Sequence, residues 1–232
     1  MEAMKKYGRI VVFGASSGIG LEVSKYLVDQ CEELITVSRR KPSVGKWIQT
    51  DVSDIGDIEK LSQELKDLKI DGLLYLGGTW EEHAFTADYS FEDCSEEEIE
   101  NVLSVNLLAP IQLIRKLMPN LRKSDNAKII IIGAAIGGLN LNAGKEVSNT
   151  SSKFGLRGLV FSLRHWLKKD RIGISLIDPG NVATQEVLGD LESNGLDESH
   201  AIPLADMFAS IEYVLNLSNR TNVNQIDMPT ML

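Results

Sequence analysis

The chain has 232 residues, of which 43% are hydrophobic and 25% are charged, and its formal net charge at pH 7 is −9. This length and composition predict one soluble globular domain with a sizeable core. The acidic balance argues against DNA or RNA as a partner, because a phosphate backbone binds clustered lysines and arginines. The two cysteines, Cys31 and Cys94, lack metal-ligand spacing, so we expect no metal site and a reducing compartment.

The first 14 residues read MEAMKKYGRIVVFG. Their apolar run is too short for a signal peptide or a membrane span. We therefore expect a cytoplasmic protein with no membrane partner.

Seven short runs are apolar at nearly every position, which is typical of strands covered on both faces. These runs are 9–14, 33–38, 46–50, 72–76, 128–133, 173–178 and 224–228. Helical patterns lie between them, at 21–30, 57–68 and 156–167, and a capping box of Ser95 and Glu98 predicts a long helix that ends near residue 121. This alternation predicts an α/β fold, a doubly wound parallel sheet with helices on both faces, as one three-layer domain over 1–232.

The first strand is followed by GASSGIG, with Gly14, Gly18 and Gly20 opening a helix. Glycines permit the tight turn and let backbone N–H groups approach a pyrophosphate at the helix N-terminus. The segment therefore predicts a dinucleotide site, to which Ser16, Ser17 and Ile19 also belong.

The G-x-x-x-G-x-G spacing resembles the short-chain dehydrogenase/reductase family. Further motifs of that family follow in the same order: TDVSD at 50–54, VNLLAP at 105–110 and DPGNVAT at 178–184. The resemblance spans nearly the whole chain. It implies a Rossmann fold, a nicotinamide cofactor and a small-molecule substrate.

The resemblance also implies roles for particular residues. Asp51 and Val52 would border the adenine ring, and Asn106 would hold a water chain behind the active site. Gly78 is the residue of YLGG (75–78) that fully matches the family's N-N-A-G, and Lys153 would bind the nicotinamide ribose. Four further residues would line the nicotinamide side: Pro179, Gly180, Val182 and Thr184.

The end of the second strand predicts which nicotinamide cofactor binds. An NAD site usually has a carboxylate there, but this chain has Ser38 followed by Arg39 and Arg40. A guanidinium can hold a 2′-phosphate with two parallel hydrogen bonds. We therefore predict NADP(H), with Arg39 as the main contact and Arg40 as a solvated neighbour.

The catalytic positions depart from the family pattern. Family members use a serine after the fifth strand and a tyrosine four residues before the lysine. Here Ala134, in an alanine pair at 134–135, stands at the serine position, and Asn149 stands at the tyrosine position. A positioned general acid contributes roughly 10²–10⁴ in rate. Ordinary ketone reduction by the family's mechanism should therefore be feeble.

Three hypotheses remain open. The first is an NADP(H)-dependent oxidoreductase whose chemistry does not need the tyrosine, such as hydride transfer to an activated double bond. The second is a catalytically silent relative that acts as a cofactor sensor or a partner subunit. The third is a lyase or isomerase. Stand-in acids for the first would be Trp80, His83, Tyr89, Lys145 and Glu146, although each is more often an exposed or packing side chain.

The remaining expectations concern the substrate and assembly. Residues 185–200 follow the nicotinamide-side motif and should form a flexible substrate lid. The helices around 97–121 and 150–168 carry more apolar residues than one buried face needs, including Phe161 and Trp166. We therefore expect a homodimer or homotetramer through these helices, with His165 in a packing or interface role.

Overall fold

The computed structural model describes residues 5–134 and 144–231. Seven strands form one sheet in the order β3-β2-β1-β4-β5-β6-β7, and all the neighbouring pairs are parallel. The strands are β1 (Tyr7–Phe13), β2 (Cys31–Ser38), β3 (Lys46–Gln49), β4 (Gly72–Tyr75), β5 (Lys128–Ile132), β6 (Gly173–Pro179) and β7 (Gln225–Met228). The seven predicted strands are thus confirmed, with ends that shift by one or two residues.

Seven α-helices connect the strands within the described ranges. They are α1 (Gly18–Leu27), α2 (Ile55–Glu64), α3 (Glu96–Leu103), α4 (Ala109–Leu121), α5 (Val147–Leu167), α6 (Gln185–Ser193) and α7 (Leu204–Asn216). None of the described helices is both long enough and apolar enough to cross a membrane.

Two apolar cores cover the two faces of the sheet. On one face, strand residues such as Val11 and Ile129 pack with Leu61, Leu113 and Leu156 from α2, α4 and α5. On the other face, a second cluster joins the sheet to α1 and α7. The three-layer arrangement predicted from the sequence is therefore confirmed.

The long helix predicted before residue 121 forms with one irregularity. Ser95 and Glu98 make the predicted capping box at the start of α3. Between α3 and α4 the backbone winds as a π-helix over Ser104–Leu108. Such segments are frequent at functional sites, and this one carries Asn106.

The segment after β6, predicted to be a flexible substrate lid, is partly helical. Residues 185–193 form α6, because the Thr184 side chain accepts a hydrogen bond from the Val187 N–H and Leu191 is buried. A 3₁₀ turn follows at Glu198–His200. The role of this segment as a substrate lid stays a prediction.

The sequence analysis also missed α7, although its signal was present. Met207, Ile211 and Val214 are buried at helical spacing against the second core.

Candidate active site

The residues predicted to bind cofactor or substrate gather at the carboxyl edge of the sheet. Each follows or ends a strand: Gly14 after β1, Ser38 at the end of β2, Asp51 after β3, Gly78 after β4, Ala134 after β5 and Pro179 at the end of β6. The strand order reverses between β1 and β4, and ligands bind at this position in open parallel sheets.

The glycine-rich turn has the geometry that the sequence predicted. Gly14 has φ +79°, and a Cβ there would lie 2.5 Å from the backbone of Gly77. A Cβ at Gly20 would collide with the Gly14 carbonyl oxygen. Gly18 has φ +53° and open space where a Cβ would stand. The turn therefore packs closely against the β4 loop while the start of α1 stays open.

A carboxylate lies at the start of α1. Oε1 of Glu186, in the first turn of α6, accepts a hydrogen bond from the Gly18 N–H at 3.1 Å. Backbone hydrogen bonds, from its own N–H and from Gly18, hold the pKa of Glu186 below its usual value. The sequence analysis missed Glu186, whose only signal was an acidic residue two positions after the P-G-x-x-x-T motif.

The edge near β2 and β3 carries the predicted adenine and phosphate residues. The Ser38 hydroxyl is buried and donates to the Arg40 carbonyl oxygen at 2.7 Å, and both arginines are exposed. Asp51 accepts from the Ser53 N–H and hydroxyl, while Val52 packs against the core. The Arg39 guanidinium is therefore open to a ligand, as the NADP(H) prediction requires.

Asn106 is the centre of a buried polar cluster. Its Oδ1 accepts from the Thr79 N–H at 2.9 Å, and its Nδ2 lies 2.9 Å from the Thr79 carbonyl oxygen. The same Nδ2 lies 3.1 Å from Ser152 Oγ and 3.3 Å from Asn149 Oδ1. One amide thus joins the β4 loop to the first turns of α5.

Lys153 lies one helical turn after Asn149 and is only 8% exposed. Burial lowers the pKa of its ammonium group to about 8, and the nearby charge of Asp178 opposes that shift. A Cβ on Gly78 would stand 3.5 Å from Lys153 Nζ and 3.6 Å from Asn106 Oδ1. The structure thus brings three predicted residues together: Lys153, Asn106 and Gly78.

Buried Asp178 forms an ion pair with partly exposed Arg157, which the sequence analysis missed. Asp178 is 1% exposed and accepts from Arg157 Nη2 at 2.7 Å and from the Ala134 N–H at 3.0 Å. Arg157 lies one turn after Lys153 on α5 and Asp178 lies in β6, so this pair joins α5 to β6. Ala135, the other member of the alanine pair, lies outside the described residues.

The start of α5 is capped from another segment. Oε1 of Glu81, which is 4% exposed, accepts from the Ser148 and Asn149 N–H groups at 2.7 and 3.1 Å. Glu146, at the N-cap position, gives no side-chain cap and instead accepts from the Phe85 N–H. The sequence analysis missed Glu81. A signal was present, because a 21-residue helix without its own Ser, Thr, Asp or Asn cap indicates capping by a residue from elsewhere in the chain.

Three of the five predicted stand-in acids are exposed, and the other two, Tyr89 and Glu146, are engaged in hydrogen bonds. Trp80 is 54% exposed and its ring meets Phe85 edge to face, while His83 and Lys145 are exposed. The Tyr89 hydroxyl accepts from the Val147 N–H at 3.1 Å. These contacts give the segment after β4 a packing role.

The nicotinamide-side motif is ordered by contacts with later residues. Val182 pairs with Ile202, and the Gly180 N–H donates to the Met228 carbonyl oxygen at 2.8 Å. A Cβ on Gly180 would stand 2.5 Å from Thr230 Oγ1. Thr184, besides capping α6, is 3% exposed. In the described part of the chain, no group of three or more His, Cys, Asp or Glu side chains could hold a metal ion.

Comparison with known proteins identifies the family. The family model for short chain dehydrogenases matches residues 9–192, most of the chain. The chain belongs to the short chain dehydrogenase family. The predicted family resemblance is therefore confirmed.

Several curated family members are similar over most of their length. The short chain dehydrogenase ausX of Aspergillus calidoustus is 28% identical over 190 residues, 77% of this chain and 70% of that protein. The 1-hydroxy-2-glutathionyl-2-methyl-3-butene dehydrogenase of Rhodococcus sp. strain AD45 is 27% identical over 75% of this chain and 78% of that protein. Carbonyl reductase family member 4 of Xenopus tropicalis is 29% identical over 80% of this chain and 79% of that protein.

Solved structures show the same fold. A short chain dehydrogenase family protein from Francisella tularensis superposes with a TM-score of 0.79 at 20% identity, covering 98% of each chain. A short chain dehydrogenase from Escherichia coli CFT073, complexed with NADPH, gives a TM-score of 0.77 at 19% identity, covering 97% of this chain and 98% of that one.

Lys153→Met should stabilise the folded protein at pH 7. A buried ammonium is replaced by an apolar side chain of similar length, for which we expect a gain on the order of 1–3 kcal/mol in the free energy of unfolding. Lys153 releases its proton near pH 8 in the folded protein but near 10.5 when unfolded, so the wild type gains stability as pH rises between these values. The advantage of the variant is therefore constant below pH 8 and shrinks above it.

Urea unfolding at several pH values measures this difference. Lys145→Met, at an exposed lysine, is the matched control and should change stability by less than about 0.5 kcal/mol. A Lys153→Met variant that is less stable at pH 7 would show that the ammonium is well solvated or paired.

Proposed function

We propose that this protein is an NADP(H)-dependent oxidoreductase that transfers a hydride to an activated double bond or carbonyl of a small molecule without a tyrosine acid. The observation that carries the proposal is the position of buried Lys153 beside Asn106 and Asn149. In the family pattern the lysine lies near a tyrosine hydroxyl. We propose that this chain keeps the lysine as buried Lys153 and has the Asn149 amide in place of the tyrosine.

The proposed cofactor site fits a dinucleotide. The close packing of Gly14 and Gly20 brings the start of α1 to the sheet edge, where a helix N-terminus favours phosphate. Exposed Arg39 would hold a 2′-phosphate, and Lys153 the nicotinamide ribose. The Escherichia coli relative complexed with NADPH has this fold, which supports the same cofactor class here. When bound, the cofactor would supply the hydride.

The chemistry of the side chains decides which substrates react well. An amide neither gains nor loses a proton at neutral pH, so Asn149 can orient a substrate oxygen but cannot protonate it. Lys153, with a pKa of about 8, is largely protonated at pH 7. Its buried ammonium group would stabilise negative charge that develops on the substrate oxygen.

This arrangement favours an α,β-unsaturated carbonyl over a saturated ketone. Hydride addition to the double bond spreads the charge over an enolate, which water can later protonate. Hydride addition to a saturated ketone leaves a localised alkoxide that needs a proton during the reaction. We propose that Ala134 and Asn149 replace the family's serine and tyrosine, so the second reaction lacks its general acid.

The alternative is a cofactor-binding protein without turnover, acting as a sensor or as the partner subunit of an active relative. One observation favours it: Asn149 Oδ1 lies 3.3 Å from Asn106 Nδ2, so the side chain at the tyrosine position faces the buried cluster.

We also propose that the protein forms a homodimer or homotetramer through α4 and α5. Six large apolar side chains on these helices or at the π-helix are 39–71% exposed: Leu108, Ile111, Val147, Phe154, Phe161 and Trp166. Large exposed apolar side chains on neighbouring helices are typical of association surfaces.

Arg39→Ala should weaken NADPH binding selectively. Charge-assisted hydrogen bonds to the 2′-phosphate would be lost, raising the dissociation constant by roughly 10- to 100-fold, while NADH binding should change less than about two-fold. Calorimetric titration of both cofactors measures the effect, with Arg40→Ala as the control. Equal losses for NADPH and NADH would overturn the NADP(H) assignment.

The double variant Ala134→Ser with Asn149→Tyr should raise the reduction of saturated ketones. Restoring a positioned acid beside Lys153 is worth about 10²-fold or more in kcat. Steady-state assays with NADPH and a ketone panel, compared with Ala134→Ser alone, measure the gain. A double variant that folds and binds NADPH but stays as slow as the wild type would show that the site is shaped for other chemistry.

A further inference from the structure

The contact between Glu186 and Gly18 places a negative charge at the proposed pyrophosphate position. The carboxylate belongs to α6, while the N–H it binds belongs to the first residue of α1. The two residues are 168 positions apart in the chain, so the contact closes the segment after β6 onto the glycine-rich turn.

The start of α1 offers little else to bind this N–H. The N-cap residue Ser17 makes no side-chain cap hydrogen bond, and the first turn carries no acidic residue. Gly18 has open space around its Cα. An anion at such a helix end is stabilised by the N–H groups and by the helix dipole, so a carboxylate and a phosphate compete for the same place.

We propose that Glu186 is an internal competitor of the cofactor, which occupies the pyrophosphate position in the free protein and is displaced when the dinucleotide binds. This inference rests on the proposed function, since it concerns the same cofactor site. The free protein is then held with α6 against α1, and cofactor binding releases that contact.

Competition of this kind lowers the apparent affinity for the cofactor. Only the fraction of molecules with the Glu186 side chain turned away can bind, and the measured dissociation constant rises by the inverse of that fraction. Because Glu186 is exposed, its side chain can rotate into solvent without unfolding α6, whose cap is the separate Thr184 hydroxyl. The effect should therefore be moderate.

Glu186→Gln and Glu186→Ala test the inference by calorimetric titration with NADPH and with inorganic pyrophosphate. Loss of the carboxylate removes both the competing contact and its repulsion of the incoming phosphates. Both ligands should bind about 3- to 5-fold more tightly, in line with the strength of a charge at a surface helix N-terminus. Glu192→Gln, an exposed acid on the same helix, removes the same charge elsewhere and should leave both affinities within about two-fold.

Thermal unfolding of the cofactor-free protein gives a second readout, in which the substitution should weaken the free protein although it strengthens cofactor binding. Glu186→Ala should lower the melting temperature of the free protein, because the contact that joins α6 to α1 is lost, while it raises the stabilisation by added NADPH.

Two outcomes overturn the inference while the proposed function stands: wild type and Glu186 variants that bind NADPH equally, or variants that bind it more weakly. The second would make Glu186 a ligand of the cofactor. If neither the wild type nor any variant binds NADPH or NADH, the proposed function fails, and the inference fails with it.

Discussion

The site depends on one buried amide, the side chain of Asn106. It lies in the π-helix between α3 and α4, and its four hydrogen bonds reach Thr79 after β4 and Asn149 and Ser152 in α5. Buried polar groups need partners in a low-dielectric interior, so this cluster fixes the distance between the β4 loop and α5. Gly78, close to both Asn106 and Lys153, has its place set by the same contacts.

Charge placement is the second constraint, and it links stability to function. Among the described residues no carboxylate forms an ion pair with buried Lys153, and burial lowers the pKa of its ammonium group. The nearby Asp178 is instead paired with Arg157, which anchors the same helix to β6. The chain thus keeps a buried cation close to Gly78 at the carboxyl edge of the sheet. A buried cation there suits the proposed stabilisation of an anionic intermediate.

Much of the fold could be predicted because it follows from local sequence patterns. Seven apolar runs, the Ser95 capping box and the glycine turn each formed where the sequence predicted. The features that the sequence analysis missed depend on contacts between residues that lie far apart in the chain. Glu81 caps α5 by accepting from the Ser148 N–H, 67 positions later in the chain, and Glu186 accepts from the Gly18 N–H, 168 positions earlier. The sequence around each glutamate does not distinguish it from the many exposed acidic residues. The sequence analysis did not predict the helix α6, whose polar sequence contains a single buried residue, Leu191. The roles of the site residues, by contrast, came from motif spacing alone and stay predictions.

Hydride turnover on a matched pair of substrates tests the central claim most directly. Purified protein with saturating NADPH would be given a saturated ketone and its α,β-unsaturated analogue, and NADPH oxidation and product would be followed together. Our account predicts reduction of the unsaturated carbon–carbon bond, with the saturated ketone slower by roughly 10²-fold or more, the usual contribution of a general acid. Bound NADPH with no turnover of either substrate would contradict the account and favour a cofactor-bound protein without catalysis.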